Sequence, residues 1–227
     1  MKPRICLSIA VGDVQEASQL IEENEIWEPD MVEIRLDHLR TVTNLGKIRE
    51  CTGLPLIATF RLENSKDSYW RLDGKNIPGI LEACNAMFDY VDLDLSTPRI
   101  RTLIEELRRV GVKVIISHHD FDGTPSTSSF RKILDEELSL KPEVCKIVGT
   151  AKNYADNLAY LNFISEAKGV RLVCFGMGRE GKPSRIFSPL LGGAFTYASP
   201  HGGPKSAPGQ LSIADLRKIY ALMEATG

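Results

Sequence analysis

The chain has 227 residues, 28 Lys and Arg against 30 Asp and Glu, a formal net charge of −2 and 43% hydrophobic residues. This balance is near that of an average soluble globular domain. With no net positive charge, it excludes a charge-driven binder of nucleic acid or of an acidic membrane, and no apolar run approaches the ~20 residues that span a bilayer.

The N-terminal MKPRICLSIAVGDVQ holds a short apolar stretch with no small-residue cleavage site after it. It reads as a first strand, at about 5–11, rather than as a targeting peptide. Asp13, a good N-cap residue, then opens a helix over DVQEASQLIEEN. Strands are expected at about 31–37 and 56–61. The helix IPGILEACNAMF carries Pro78 near its start, where proline is tolerated. A strand at 90–95 leads to RIRTLIEELRRVG, whose apolar residues Ile100, Leu103, Ile104, Leu107 and Val110 recur at helical spacing before Gly111 stops it. Strands at 113–119, 144–149, 171–176 and 194–198 follow. The helices SSFRKILDEELSL, NYADNLAYLNFISEAKG and SIADLRKIYALMEA accompany them.

Eight strands alternating with helices, undivided by any linker, predict one (β/α)8 TIM barrel over residues 1–227. The usual length of ~250 residues fits. An open doubly wound sheet alternates in the same way, so strand content has to separate the two. In MVEIRLD, Val32, Ile34 and Leu36 alternate with Glu33, Arg35 and Asp37; in YVDLDL, Val91, Leu93 and Leu95 alternate with Asp92 and Asp94. Thr59 and Arg61 share a face opposite Ala58 and Phe60. Period-2 alternation puts each polar set on one side of its strand. In a barrel the apolar set meets the helices, and the acids and arginines converge on the lumen. The five cysteines, Cys6, Cys51, Cys84, Cys145 and Cys174, are scattered, and three lie in strand-like runs. They read as free thiols packed as small hydrophobes, not as a disulfide framework or a zinc site, which favours a reducing, cytoplasmic setting.

Four segments carry chemistry. Lys146 sits mid-strand in EVCKIVGT. A buried lysine is rare, and desolvation favours its free amine, which can attack a ketone to form a Schiff base. A lysine that snorkels outward or pairs with an inward acid is the other reading. In KVIISHHDFDGTP, Ser117 and His119 share the lumen face and His118 faces the helices. His119 is therefore the candidate proton carrier; a metal would need further ligands at workable spacing. GMGREGKPSR matches G-x-G-x-x-G, but near the seventh strand rather than in the first βα turn of a dinucleotide fold. In a barrel that loop is a common anion site, and Arg185 follows as a planar fork for a carboxylate or phosphate. PHGGPKSAPGQLSIADL reads as a loop into the last helix or as a lid, with Ser206 and Gln210 as neutral hydrogen-bonding groups.

Taken together, these segments resemble the type I 3-dehydroquinate dehydratase family of the shikimate pathway, over the whole chain. The motifs are Asp92-Leu93-Asp94 leading to Ser117-His118-His119-Asp120, Glu33-Ile34-Arg35-Leu36-Asp37, the Lys146-Ile147 strand, and Ser206-Ala207-Pro208-Gly209-Gln210. The resemblance implies a (β/α)8 barrel that converts 3-dehydroquinate to 3-dehydroshikimate and water, with no metal or organic cofactor. It implies an imine on Lys146, with His119 as the acid and base. Arg185 matches the carboxylate-binding arginine. Glu33, Arg35 and Arg61 match groups that hold ring hydroxyls and charge, and Ser206 and Gln210 match the closing loop. Tyr197 stands where a pocket phenylalanine is expected and adds a hydroxyl. A second departure follows Arg61: Leu62-Glu63-Asn64-Ser65-Lys66 lacks the glycines that usually follow the family's glutamate, and Glu63 stands at a different spacing. The only partner implied beyond the small-molecule substrate is a second copy, since the family is often dimeric. A class I aldolase or transaldolase, acting on phosphorylated sugars, shares a strand lysine; a ligand-binding barrel that has lost catalysis is the non-enzymatic reading.

Overall fold

The structure, a computed structural model, describes residues 2–61 and 77–224; Glu63 lies outside the described residues. Eight strands appear where the alternation predicts them: β1 (Ile5–Ile9), β2 (Met31–Arg35), β3 (Leu56–Thr59), β4 (Tyr90–Asp94), β5 (Lys113–Asp120), β6 (Val144–Thr150), β7 (Leu172–Met177) and β8 (Thr196–Ala198). They form one sheet in the order β7-β6-β5-β4-β3-β2-β1-β8, and every pairing is parallel. The two end strands meet where the Ala194 N–H donates to the Leu172 carbonyl at 2.8 Å. The sheet is thereby a (β/α)8 barrel.

The period of two sorts every strand into an inner and an outer face. The lowest inner layer is apolar: Cys6, Met31, Ile57, Tyr90, Ile115, Val144, Val173 and Phe195 are all buried against one another. Two residues further along each strand, the inner layer becomes polar: Ser8, Glu33, Thr59, Asp92, Ser117 and Lys146, closed by Phe175 and Tyr197. The ladder seats these groups as neighbours, with Ser8 beside Glu33, Thr59 beside Asp92 and Ser117 beside Lys146. Outward, Ile5, Leu7, Ile9, Val32, Ile34, Val91 and Leu93 pack on the helices. At ~1.5–3 kcal/mol for each fully buried aliphatic side chain, the two apolar shells hold the polar ring between them.

The helices are α1 (Val14–Asn24), α2 (Gly46–Glu50), α3 (Ile77–Asn85), α4 (Ile100–Arg109), α5 (Thr127–Ser139), α6 (Asn157–Glu166), α7 (Lys182–Phe187) and α8 (Ile213–Glu224). Asp13 caps α1 by accepting the Glu16 N–H at 2.9 Å. α4 buries Leu103, Ile104 and Leu107, but Val110 falls beyond its last turn and is 59% exposed. The stretch expected as one helix from 153 divides: Asn153 and Asp156 form a capping box around a 3-10 turn, and α6 starts at Asn157. α2 and α7 carry no readable signal because five or six residues are too few to display a period of 3.6.

Candidate active site

The polar ring is built on two carboxylates. Asp92, on β4, is completely buried. It accepts both Nη atoms of Arg61, at 3.1 and 3.0 Å, the Ser117 hydroxyl at 2.6 Å and Lys146 Nζ at 2.8 Å. Burial alone would raise its carboxyl; Arg61 and Lys146 instead hold it well below the usual range. The pair reciprocally keeps Arg61 charged: burial acts to lower its guanidinium, and Asp92 more than offsets this. Glu33, on β2, accepts the Thr59 hydroxyl at 2.7 Å and the Ser8 hydroxyl through its other oxygen.

Lys146 is 5% exposed and points into this ring. Besides Asp92, its Nζ meets the Tyr197 hydroxyl at 3.1 Å and lies 3.8 Å from Glu33 Oε1. The structure therefore brings together both expectations for this lysine: it is an inward amine, and it is paired with an acid. His119 follows on the same face of β5, with its Nδ1 3.5 Å from Asp94 Oδ2 and its ring stacked 6.1 Å from Phe121. Burial and the nearby Arg61 charge pull His119 down to about 3, against the pull of Asp94. At that value the imidazole is uncharged at pH 7. Burial would raise Asp94, but His119 and Ser96 bring it down to about 2. His118 has the outward phase of Ile116, as its spacing predicts. Asp120 builds the turn beyond it, accepting the Asp122 and Gly123 N–H groups at 2.9 and 3.0 Å.

Arg185, on α7, is 2% exposed. Its guanidinium lies 4.3 Å over the Phe175 ring, one Nη reaches the Pro208 carbonyl at 3.4 Å, and Nε has no hydrogen-bond partner among the described residues. Burial lowers it to about 10, with no acid among the described residues acting in the other direction. Arg35 differs: it clasps Asp37 through Nε at 2.9 Å and Nη2 at 2.5 Å, and donates to the Ser206 carbonyl at 3.3 Å.

The segment 206–210 lies across the mouth. Ser206 Oγ meets Ser8 Oγ at 2.7 Å, and Gln210 Oε1 accepts the Ser206 N–H at 2.9 Å. The Gly178 N–H donates to the Pro208 carbonyl at 3.2 Å. Gly209 has φ +75, and a Cβ there would overlap the Gly178 carbonyl. A Cβ on Gly181 would likewise overlap the Gly176 carbonyl. The G-x-G-x-x-G spacing thus serves close backbone packing around β7 and α7.

One cavity is lined by all eight candidate catalytic and substrate-binding residues: Glu33, Arg35, Arg61, His119, Lys146, Arg185, Ser206 and Gln210. Sequence reasoning passed over Ser8, Val148, Met177 and Phe121, which line it too. Ser8 was accessible in principle, since it shares the inward phase of Cys6. Among the described residues, no group of three or more His, Cys, Asp or Glu side chains could hold a metal ion, and no helix is long and apolar enough to cross a membrane.

Comparison with known proteins agrees with this architecture. The family described as Type I 3-dehydroquinase matches residues 5–226. A 3-dehydroquinate dehydratase of Methanocaldococcus jannaschii is 32% identical over 226 residues, 97% of this chain and 99% of the relative. One of Dehalococcoides mccartyi is 34% identical over 188 residues, 83% of each chain. The crystal structure of the Geobacillus kaustophilus 3-dehydroquinate dehydratase superimposes with a TM-score of 0.88 at 25% identity, covering 100% of this chain and 93% of that one. The chain belongs to the type I 3-dehydroquinase family of hydro-lyases.

Proposed function

We propose that this cavity dehydrates 3-dehydroquinate to 3-dehydroshikimate through an imine on Lys146. The observation that carries the reading is the inward amine of Lys146, which shares one cavity with an uncharged imidazole and a buried guanidinium that no acid among the described residues neutralises. Arg185 takes the substrate carboxylate as a charge-assisted fork. Glu33, Arg35, Arg61, Ser206 and Gln210 line the remaining walls and hold the ring hydroxyls. Lys146 gives its lone pair to the ketone carbon, and the carbonyl oxygen leaves as water when the C=N bond forms. His119 then removes the proton next to the imine carbon, and the electron pair moves onto nitrogen. The pair returns to expel the hydroxyl beta to the imine, which takes the proton from His119 and departs as water. Hydrolysis releases the product and restores the amine. Every step is redox-neutral, and the protein's own nitrogen is the electron sink. Five free cysteines support a cytoplasmic setting for this chemistry.

The test is intact mass after incubation with 3-dehydroquinate and borohydride, followed by peptide mapping. A reduced adduct is expected on the peptide holding Lys146, and none in Lys146→Ala. Adduct on another lysine, or none in the folded wild type, would overturn the assignment.

A further inference from the structure

Among the described residues, the amine of Lys146 has two hydrogen-bond partners, and one of them is an acid. Asp92 Oδ2 lies at 2.8 Å; the other partner is the Tyr197 hydroxyl, at 3.1 Å. Nζ also stands 4.2 Å from the Tyr197 ring centroid, so the two distances place it over the hydroxyl side of the ring. Tyr197 itself is 4% exposed and fixed from below and beside by Phe195 and Phe175, whose ring centroids lie 5.4 and 6.3 Å away. Its strand, β8, pairs Tyr197 with Cys6 of β1. The hydroxyl has little room to move, and burial and the neighbouring Glu33 keep it a phenol by raising it well above its ordinary range.

A lysine on a four-carbon stem does not fix its own terminal nitrogen. One carboxylate holds Nζ at a distance and leaves it free to swing about that contact. A second carboxylate oxygen, Glu33 Oε1, lies at 3.8 Å; an amine drawn there would be held between two carboxylates. A second acceptor on the other side removes that freedom. We propose that the Tyr197 hydroxyl is a positioning group for the reaction, which with Asp92 fixes Nζ so that its remaining direction faces the bound ketone.

The proposal rests on the imine reading and concerns its first step. Counted from the ammonium, the C–N bond forms while two of the three nitrogen protons leave with the carbonyl oxygen as water. The third proton stays on the iminium nitrogen. Before attack, two N–H groups are occupied by Asp92 and Tyr197, and the lone pair needs the third direction. Tyr197 neither gains nor loses a proton overall; it acts through Lys146 by restricting the angle of attack, where small misplacements are costly.

The experiment is a time course of borohydride trapping with 3-dehydroquinate, over a range of substrate concentrations, in the wild type and in Tyr197→Phe. The phenylalanine keeps the ring and its packing, so the thermal midpoint should move little. The expected result is adduct on Lys146 in both proteins. In the variant its rate at saturating substrate should fall about tenfold, the value of one hydrogen bond to a charged group. The half-saturating substrate concentration should be unchanged, since a merely structural change would loosen binding as well. Equal trapping rates in the two proteins would overturn the role of Tyr197 and leave the imine standing. Absence of adduct in the wild type would overturn the imine reading and this inference with it.

Discussion

The two sides of the barrel mouth handle buried positive charge in opposite ways. On the β3–β4 wall, Arg61 is held by both oxygens of Asp92. Four strands away, Arg185 faces an aromatic ring and a backbone carbonyl, with no acid among the described residues. A paired guanidinium has its charge met by the protein itself, even where, like Arg61, it also lines the cavity. One held only by a ring and a carbonyl has been desolvated with weaker compensation, which folding alone does not reward, and in the proposed function it is the socket for an incoming anion.

The sharpest way to break this comparison is Asp92→Asn. It leaves Arg61 and Lys146 buried without their counter-charge, and the expected loss is about 3–5 kcal/mol in urea unfolding. Arg185→Met should behave in the opposite manner. Its stability should equal or exceed that of the wild type, because a weakly compensated charge is replaced by an apolar chain of similar reach. Its KM for 3-dehydroquinate should rise tenfold to about a hundredfold, the value of charge-assisted hydrogen bonds. If Arg185→Met destabilises as much as Asp92→Asn, the distinction between paired charge and socket is wrong.

The smallest effect refines the same contrast with a third solution. Glu137, on α5, is completely buried; it accepts the Lys146 backbone N–H at 3.2 Å and lies against the Cys145 thiol, and its Oε1 has no close hydrogen-bond partner among the described residues. Burial pushes it up to about 9, so it meets desolvation by keeping its proton. The unfolded chain releases that proton above about pH 4.3, whereas the folded chain holds it to about 9. The resulting stability is full at low pH and lost as pH rises. Between pH 7 and 8 the wild type should lose up to about 1 kcal/mol per unit, and Glu137→Gln should flatten this slope in chemical denaturation. An unchanged slope would mean that Glu137 ionises within the fold.

What the sequence disclosed follows from what is local. Strand alternation is a property of neighbours, so the barrel, the inward acids and the faces of His119 and Lys146 were all readable from it. The pairing of Arg61 with Asp92 was not, because it joins residues 31 positions apart through the register of two strands. Glu137 was hidden for a different reason. It ends the run Asp135-Glu136-Glu137, which reads as a solvated face, and only the fold shows that its last member turns inward. The docking of Gly209 on Gly178 depends on backbone approach, which no single-position pattern announces.

One of the ties that hold the cover of the cavity is a single oxygen with two donors. The Pro208 carbonyl receives the Gly178 N–H at 3.2 Å and Arg185 at 3.4 Å. An anion that reaches Arg185 competes with a neutral carbonyl, and charge-assisted bonds are the stronger. The guanidinium can therefore let go of the cover as it takes hold of the ligand, while the glycine amide retains its grip. Capture and enclosure then draw on separate hydrogen atoms, and the mouth need not reopen for the arginine to change its allegiance.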